Sequence, residues 1–183
     1  MNNIFVITSN KYKLREITTL IPAIQGFDID LPEIQETDAH AVILAKLTEA
    51  QKHLPADAII VEDTSLYIDA MNGLPGPLAK WFVKSIGIEG IYALTETFKS
   101  AAATAQTLIG YAEVDGSVHF FEGTIKGTIV PPRGTDGFGW DAVFQPEGSE
   151  KTFAEMALAE KSQYSMRKIA LEGLQHYLST NIL

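Results

Sequence analysis

Phe138-Gly139-Trp140-Asp141, preceded by Pro131-Pro132-Arg133-Gly134-Thr135-Asp136-Gly137, puts two large aromatics and a carboxylate in a loop. Glycine and proline on either side hold that backbone open and turned. An aromatic face offered from such a loop can stack on a flat ligand, of which a nucleobase is the commonest kind. The same residues also fit a packed hairpin corner with a buried Trp. Thr8-Ser9-Asn10-Lys11-Tyr12-Lys13 supplies a second chemistry, at the junction of a strand-like run and a helical one. Its hydroxyls, the N-capping Asn10, the free amides of a helix start and two lysines would suit a triphosphate. A plain N-cap with solvated lysines reads the same way.

Carboxylates form the third group. Glu33 follows Leu31-Pro32, Glu62 and Asp63 follow a short apolar run, and Asp69 comes soon after. They fall at expected strand ends, where an open α/β sheet forms its ligand crevice. Hard oxygen donors without His or Cys partners suit Mg²⁺, which binds one or two carboxylates and its substrate's phosphates. Any one of these acids also reads as a solvated turn residue. His40, His53, His119 and His176 have no metal-ligand spacing. The rigid turn Leu74-Pro75-Gly76-Pro77 feeds a short helix that would deliver Lys80 near the cleft, with Trp81 and Phe82 in the core. At the start of the last helix, Glu160 to Lys168 brings basic donors towards the edge of a stacked base. Lys and Arg donate only, so they favour a carbonyl at the purine 6-position over an amino group.

The elements that must position these groups alternate. Ile4 to Ile7 reads as a buried strand, Leu14, Ile17 and Ile21 as one face of a helix closed by Pro22, and Phe27 to Leu31 as a second strand. A helix over Ala39 to His53 and a strand over Ala58 to Val61 continue the pattern. Thr104 to Val114 and Val118 to Val130, joined by Asp115-Gly116-Ser117, read as a long hairpin. The last helix, about Tyr164 to Leu178, turns Ala170, Leu171, Leu174 and Leu178 to the core. The expected fold is α/β: an elongated mixed sheet with flanking helices, as one domain over 1–183. Its hairpin region, about 104–130, forms part of a second lobe, and the ligand lies in the cleft between lobes.

Composition excludes several classes. The 183 residues are 46% hydrophobic and 20% charged, as in ordinary globular proteins. A net charge of -9 argues against a nucleic-acid surface, and no apolar run reaches membrane length. The chain has no cysteine, so a cytoplasmic protein without disulfides is expected.

Taken together the motifs resemble the inosine triphosphate pyrophosphatase (Ham1/RdgB-like) family nearly end to end. The resemblance is carried by Thr8-x-Asn10-x-x-Lys13-x-x-Glu16, Val61-Glu62-Asp63-Thr64, Gly73-Leu74-Pro75-Gly76-Pro77, Ala79-Lys80-Trp81-Phe82, Pro132-Arg133-Gly134, Phe138-Gly139-Trp140-Asp141, Ala154-Glu155-Met156 and Glu160-Lys161. It implies a homodimer that hydrolyses ITP, dITP and XTP to the monophosphate and pyrophosphate with Mg²⁺. Carried over by motif, Thr8, Ser9, Asn10, Lys11, Tyr12 and Lys13 would hold the triphosphate, with Lys46 and Lys80 adding charge and Thr64 beside them. Glu33 and Asp63 would hold the metal, and Asp63 would also orient or deprotonate the water. Phe138 would stack on the base, Gly139, Trp140 and Asp141 would complete that loop, and Lys161, Met166 and Arg167 would face the base edge.

Three departures from the family pattern stand out. Met166 replaces a histidine and Ser162 an asparagine in the Glu-Lys-Asn-x-x-Ser-His-Arg motif; Ala142 stands where proline is usual; and the segment before Lys46 lacks a glutamate. The metal and phosphate residues are intact, so hydrolysis is expected and base selectivity is the property these departures bear on. Relaxed selectivity and a binding protein without turnover are the competing readings.

Overall fold

The computed structural model describes residues 3–181. One seven-stranded sheet runs through it, in the order β2 (Ile24–Phe27), β1 (Ile4–Ile7), β3 (Ala58–Ile68), β5 (Ala102–Ala112), β6 (Val118–Ile129), β7 (Phe144–Pro146), with β4 (Pro75–Gly76) paired to β3. β1 runs parallel to β2 and β3, and every other pairing is antiparallel. The expected mixed α/β sheet is therefore present, and the hairpin expected over 104–130 forms as β5 and β6 within it.

Helices cover both faces. α1 (Lys11–Leu20) and α5 (Met166–Asn181) lay Ile17, Ala170, Leu171 and Leu174 against Val6, Ile60 and Ile109 on one face. α2 (Ala39–Gln51) lays Ile43 and Leu47 against Ile59, Val61 and Leu108 on the other. A third core cluster fills the far ends of the long strands, where Leu66, Ile68 and Ile129 meet Trp140, Phe144, Phe153 and Met166. α3 (Ala79–Phe98) packs there too, bent at Gly87, whose φ of 72° lies outside helical space.

Several boundaries differ from expectation. The second strand is Ile24–Phe27, so 28–33 is coil leading to Glu33. The helix after Pro77 is long rather than short. Trp81 is only partly buried, with the ammoniums of Lys80 and Lys84 over its ring at 5.9 and 5.5 Å, while Phe82 does join the core. The largest difference is β3. Glu62-Asp63-Thr64-Ser65, expected after the strand, lies inside it and pairs with Ile109 to Gln106 of β5. Pairing along one strand outweighs the turn-like composition.

That extension leaves a stretch of β3 edge between two partners. β1 pairs with β3 only as far as Ile60, and β4 rejoins that edge at Leu66. Between them Val61 to Ser65 continues β3 past the carboxyl end of the parallel pairing.

Candidate active site

The loop after β1 is built as its residue types require. Asn10 caps α1, its side-chain oxygen accepting from the amides of Tyr12 and Lys13 at 3.0 and 3.3 Å, and Thr8 Oγ1 accepts from the amide of Asn10 at 3.1 Å. Ser9, Lys11 and Tyr12 are exposed, Tyr12 strongly so, and Lys13 alone among the loop's cations turns inward.

Alternation along β3 then separates two neighbouring acids. Successive strand side chains point to opposite faces. Glu62 therefore faces α1 and α5, and Asp63 faces α2. Glu62 is buried and carries Lys13 Nζ at 2.6 Å on one oxygen and Arg167 Nε at 2.8 Å on the other. Arg167 continues to Glu16 at 2.8 Å and to the hydroxyl of Thr64 at 3.3 Å, and Glu16 accepts from Ser165. Burial works to raise the Glu62 carboxyl, but Arg167 and Lys13 outweigh it and hold it at about 2. The same carboxylates raise the Arg167 guanidinium against the opposing effect of its burial.

Asp63 belongs to a more open group. Its Oδ1 lies 3.3 Å from Lys46 Nζ, and its Oδ2 accepts from Ser65 at 3.0 Å. Lys46, reaching from α2, also touches Glu33 at 3.0 Å and the Glu62 carbonyl at 3.3 Å. Lys80 takes the second Glu33 oxygen at 2.8 Å. Partial burial pushes the Glu33 carboxyl up, yet the two lysines hold it down at about 2. Lys46, expected only as an added charge, is the centre of this group. Asp69, by contrast, is exposed and lines a separate cavity with Ala102, Thr104 and Lys126.

The aromatic loop resolves into two roles. Phe138 is 44% exposed, whereas Trp140 is 6% exposed and packs edge-on against Phe144. Trp140 is thus a core anchor and not part of a stacking face. Asp141 is buried as well. It accepts from the amide of Phe138 at 3.0 Å and from Lys161 Nζ at 2.6 Å, which ties the loop to the short helix α4 (Leu158–Lys161). Gly137 (φ 98°) permits this turn, because a Cβ there would meet Asp141 Oδ2, and Gly139 is also in the left-handed region at φ 63°. Lys161 Nζ sits 5.7 Å from the centre of the Phe138 ring.

Two of the residues expected at a base edge are engaged within the protein. Met166 is buried in the cluster that holds Trp140, and Arg167 is spent on Glu16 and Glu62. Both are fixed by the first turn of α5, which joins the aromatic half of the site to the acid half. Ser65 and Glu16 were not among the expected site residues. Alternation signals Ser65, one strand period beyond Asp63; nothing local signals that Glu16 meets Arg167.

The structure thus holds a capped start of α1, two carboxylates sharing Lys46, and an exposed Phe138 near the Lys161–Asp141 pair. Residues 4–177 match the profile of the Ham1 family. The chain belongs to the Ham1 family. Among its relatives, the inosine triphosphate pyrophosphatase of Schizosaccharomyces pombe is 39% identical over 184 residues, covering 98% of this chain and 97% of the relative. That of Kluyveromyces lactis is 40% identical, covering 96% and 95%. The solved structure of the Staphylococcus aureus Ham1 protein superposes with a TM-score of 0.84 at 26% identity, covering 97% of this chain and 98% of that one. This Ham1 family member has, among its described residues, no helix long and apolar enough to cross a membrane.

Proposed function

We propose that this protein hydrolyses non-standard purine nucleoside triphosphates, ITP, dITP and XTP, to the monophosphate and pyrophosphate. The observation that carries this reading is the Glu33–Asp63 pair, joined by Lys46, with Lys80 on the far oxygen of Glu33. The relatives named as inosine triphosphate pyrophosphatases support the substrate class.

Two carboxylates converging on one ammonium offer the hard oxygen donors a divalent ion takes. Glu33 and Asp63 would hold Mg²⁺, and such an ion neutralises charge growing on phosphate oxygens. The remaining chemistry lies with the protein. Water attacks the α-phosphorus, pyrophosphate leaves, and negative charge grows on the bridging and equatorial oxygens. Lys13, Lys46 and Lys80, with the positive end of the α1 dipole, would meet that charge. Asp63 orients the water and takes its proton, its carboxylate aimed by Ser65. Phe138 stacks on the base, and Lys161 donates to its 6-carbonyl.

Purified protein with Mg²⁺ should release pyrophosphate from ITP and XTP far faster than from ATP. Absence of pyrophosphate release would leave the protein a nucleotide binder. A second reading keeps the chemistry and relaxes the base preference, because buried Met166 has no hydrogen-bond donor to offer a base. Comparable kcat/KM values for GTP and ITP would favour it. We further propose a cytoplasmic homodimer, on the lack of cysteine and the family resemblance.

A further inference from the structure

Lys46 fills the space that joins Glu33 to Asp63. Its side chain is 9% exposed, anchored from α2 and shared among Glu33, Asp63 and the Glu62 carbonyl. The remaining carboxylate oxygens are also engaged, that of Glu33 by Lys80 and that of Asp63 by Ser65. Burial works to lower the Lys46 ammonium, but Asp63 and Glu33 outweigh it and keep it charged. The formal charges of Glu33, Asp63, Lys46 and Lys80 therefore cancel. A divalent ion approaching this pair meets no net negative charge and finds an ammonium at its centre.

We propose that Lys46 is a resident cation that keeps a divalent metal out of the Glu33–Asp63 pair until a polyphosphate arrives to receive the lysine. This rests on the hydrolytic reading of the same site. On binding, partners are exchanged: Lys46 moves from carboxylate to phosphate oxygens, and the carboxylates move from ammonium to metal. Each charge keeps a partner, as a partly buried site demands. Metal and nucleotide then raise each other's affinity by one common factor, as linkage requires. In a protein of net charge -9, the device also stops an acidic site from filling with metal when no substrate is present.

The test is metal binding by the nucleotide-free, full-length protein. Mn²⁺ is titrated in and free Mn²⁺ is read by electron paramagnetic resonance. Lys46→Met, which keeps the stem and removes the charge, should bind Mn²⁺ at least about tenfold more tightly than wild type, and Lys46→Arg should not. Adding Asp63→Asn to Lys46→Met should abolish the gain, which places it at this pair. A second measurement needs no variant. The wild-type melting temperature should rise little with Mn²⁺ alone, and rise with Mn²⁺ and an imido analogue of ITP together by more than the two separate shifts combined. Equal Mn²⁺ affinity for wild type and Lys46→Met, or a full wild-type shift from Mn²⁺ alone, would overturn the proposal. ITP turnover by the same preparation separates the two readings. Turnover without the Lys46 effect sinks this inference alone, and the Lys46 effect without turnover sinks the hydrolytic reading.

Discussion

The Glu62 side chain is 2% exposed and ends on Arg167 and Lys13, whereas that of Asp63, the next residue along β3, is 12% exposed and ends on Lys46 and Ser65. Strand alternation sends one to the face packed by α1 and α5 and the other to the face bordered by α2. The first cluster is closed. Glu62 lies out of solvent between Lys13 and Arg167, and the cluster ties α1, β3 and α5 together. The second buries Lys46 but opens outward at Glu33 and Lys80, whose side chains are 33% and 68% exposed. A buried ion pair is worth most as a fixture, because its partners cannot leave without stranding a charge. An accessible pair can change partners, which binding a metal and a phosphate requires. The aromatic loop repeats the division: Trp140 anchors and Phe138 is presented.

Breaking the closed side should cost stability, and breaking the open side should cost function. Arg167→Met leaves buried Glu62 with Lys13 alone and Glu16 without its cation, so its unfolding free energy in urea should fall by about 3–5 kcal/mol. Lys80→Met, on the open side, should stay within about 1 kcal/mol of wild type. A similar loss for both would remove the distinction between the clusters. In the aromatic pair, Trp140→Ala should lose about 3–5 kcal/mol of stability. Phe138→Ala should melt like wild type and lose about 1–3 kcal/mol of nucleotide binding, read as a raised KM for ITP.

Acid should probe both clusters, with a smaller effect. Glu62 and Glu33 are held at about 2, below the ordinary carboxyl value of 4.5. A depressed carboxyl stabilises the fold above its unfolded pKa, and that contribution is lost as pH falls towards the folded value. Urea midpoints should therefore decline between pH 4.5 and about 2. Glu62→Gln should flatten the decline more than Glu33→Gln, because the Glu33 pair is partly solvated.

Much of this was legible in the chain. The N-cap at Asn10, the helix behind it and the long hairpin follow from residue type and period. The Lys80 turn did deliver its lysine to Glu33. What hid β3 was polarity: Glu62-Asp63-Thr64-Ser65 has the composition of a turn, and only its pairing with β5 makes it strand. The division between Phe138 and Trp140 was hidden for a similar reason. An aromatic beside a glycine reads alike as platform or core until Phe144 and Phe153, brought in from later segments, cover Trp140. Arg167 looked free because its partners Glu16 and Glu62 lie far away in sequence.

The most direct measurement of the central claim crosses the two neighbours, Glu62→Gln and Asp63→Asn, each assayed for unfolding free energy and for kcat with Mg²⁺ and ITP. Asp63→Asn should lower kcat by about 10²–10⁴ while its stability stays near wild type, and Glu62→Gln should lose several kcal/mol of stability. An Asp63→Asn enzyme within about tenfold of wild-type kcat, or a Glu62→Gln protein as stable as wild type, would contradict that claim.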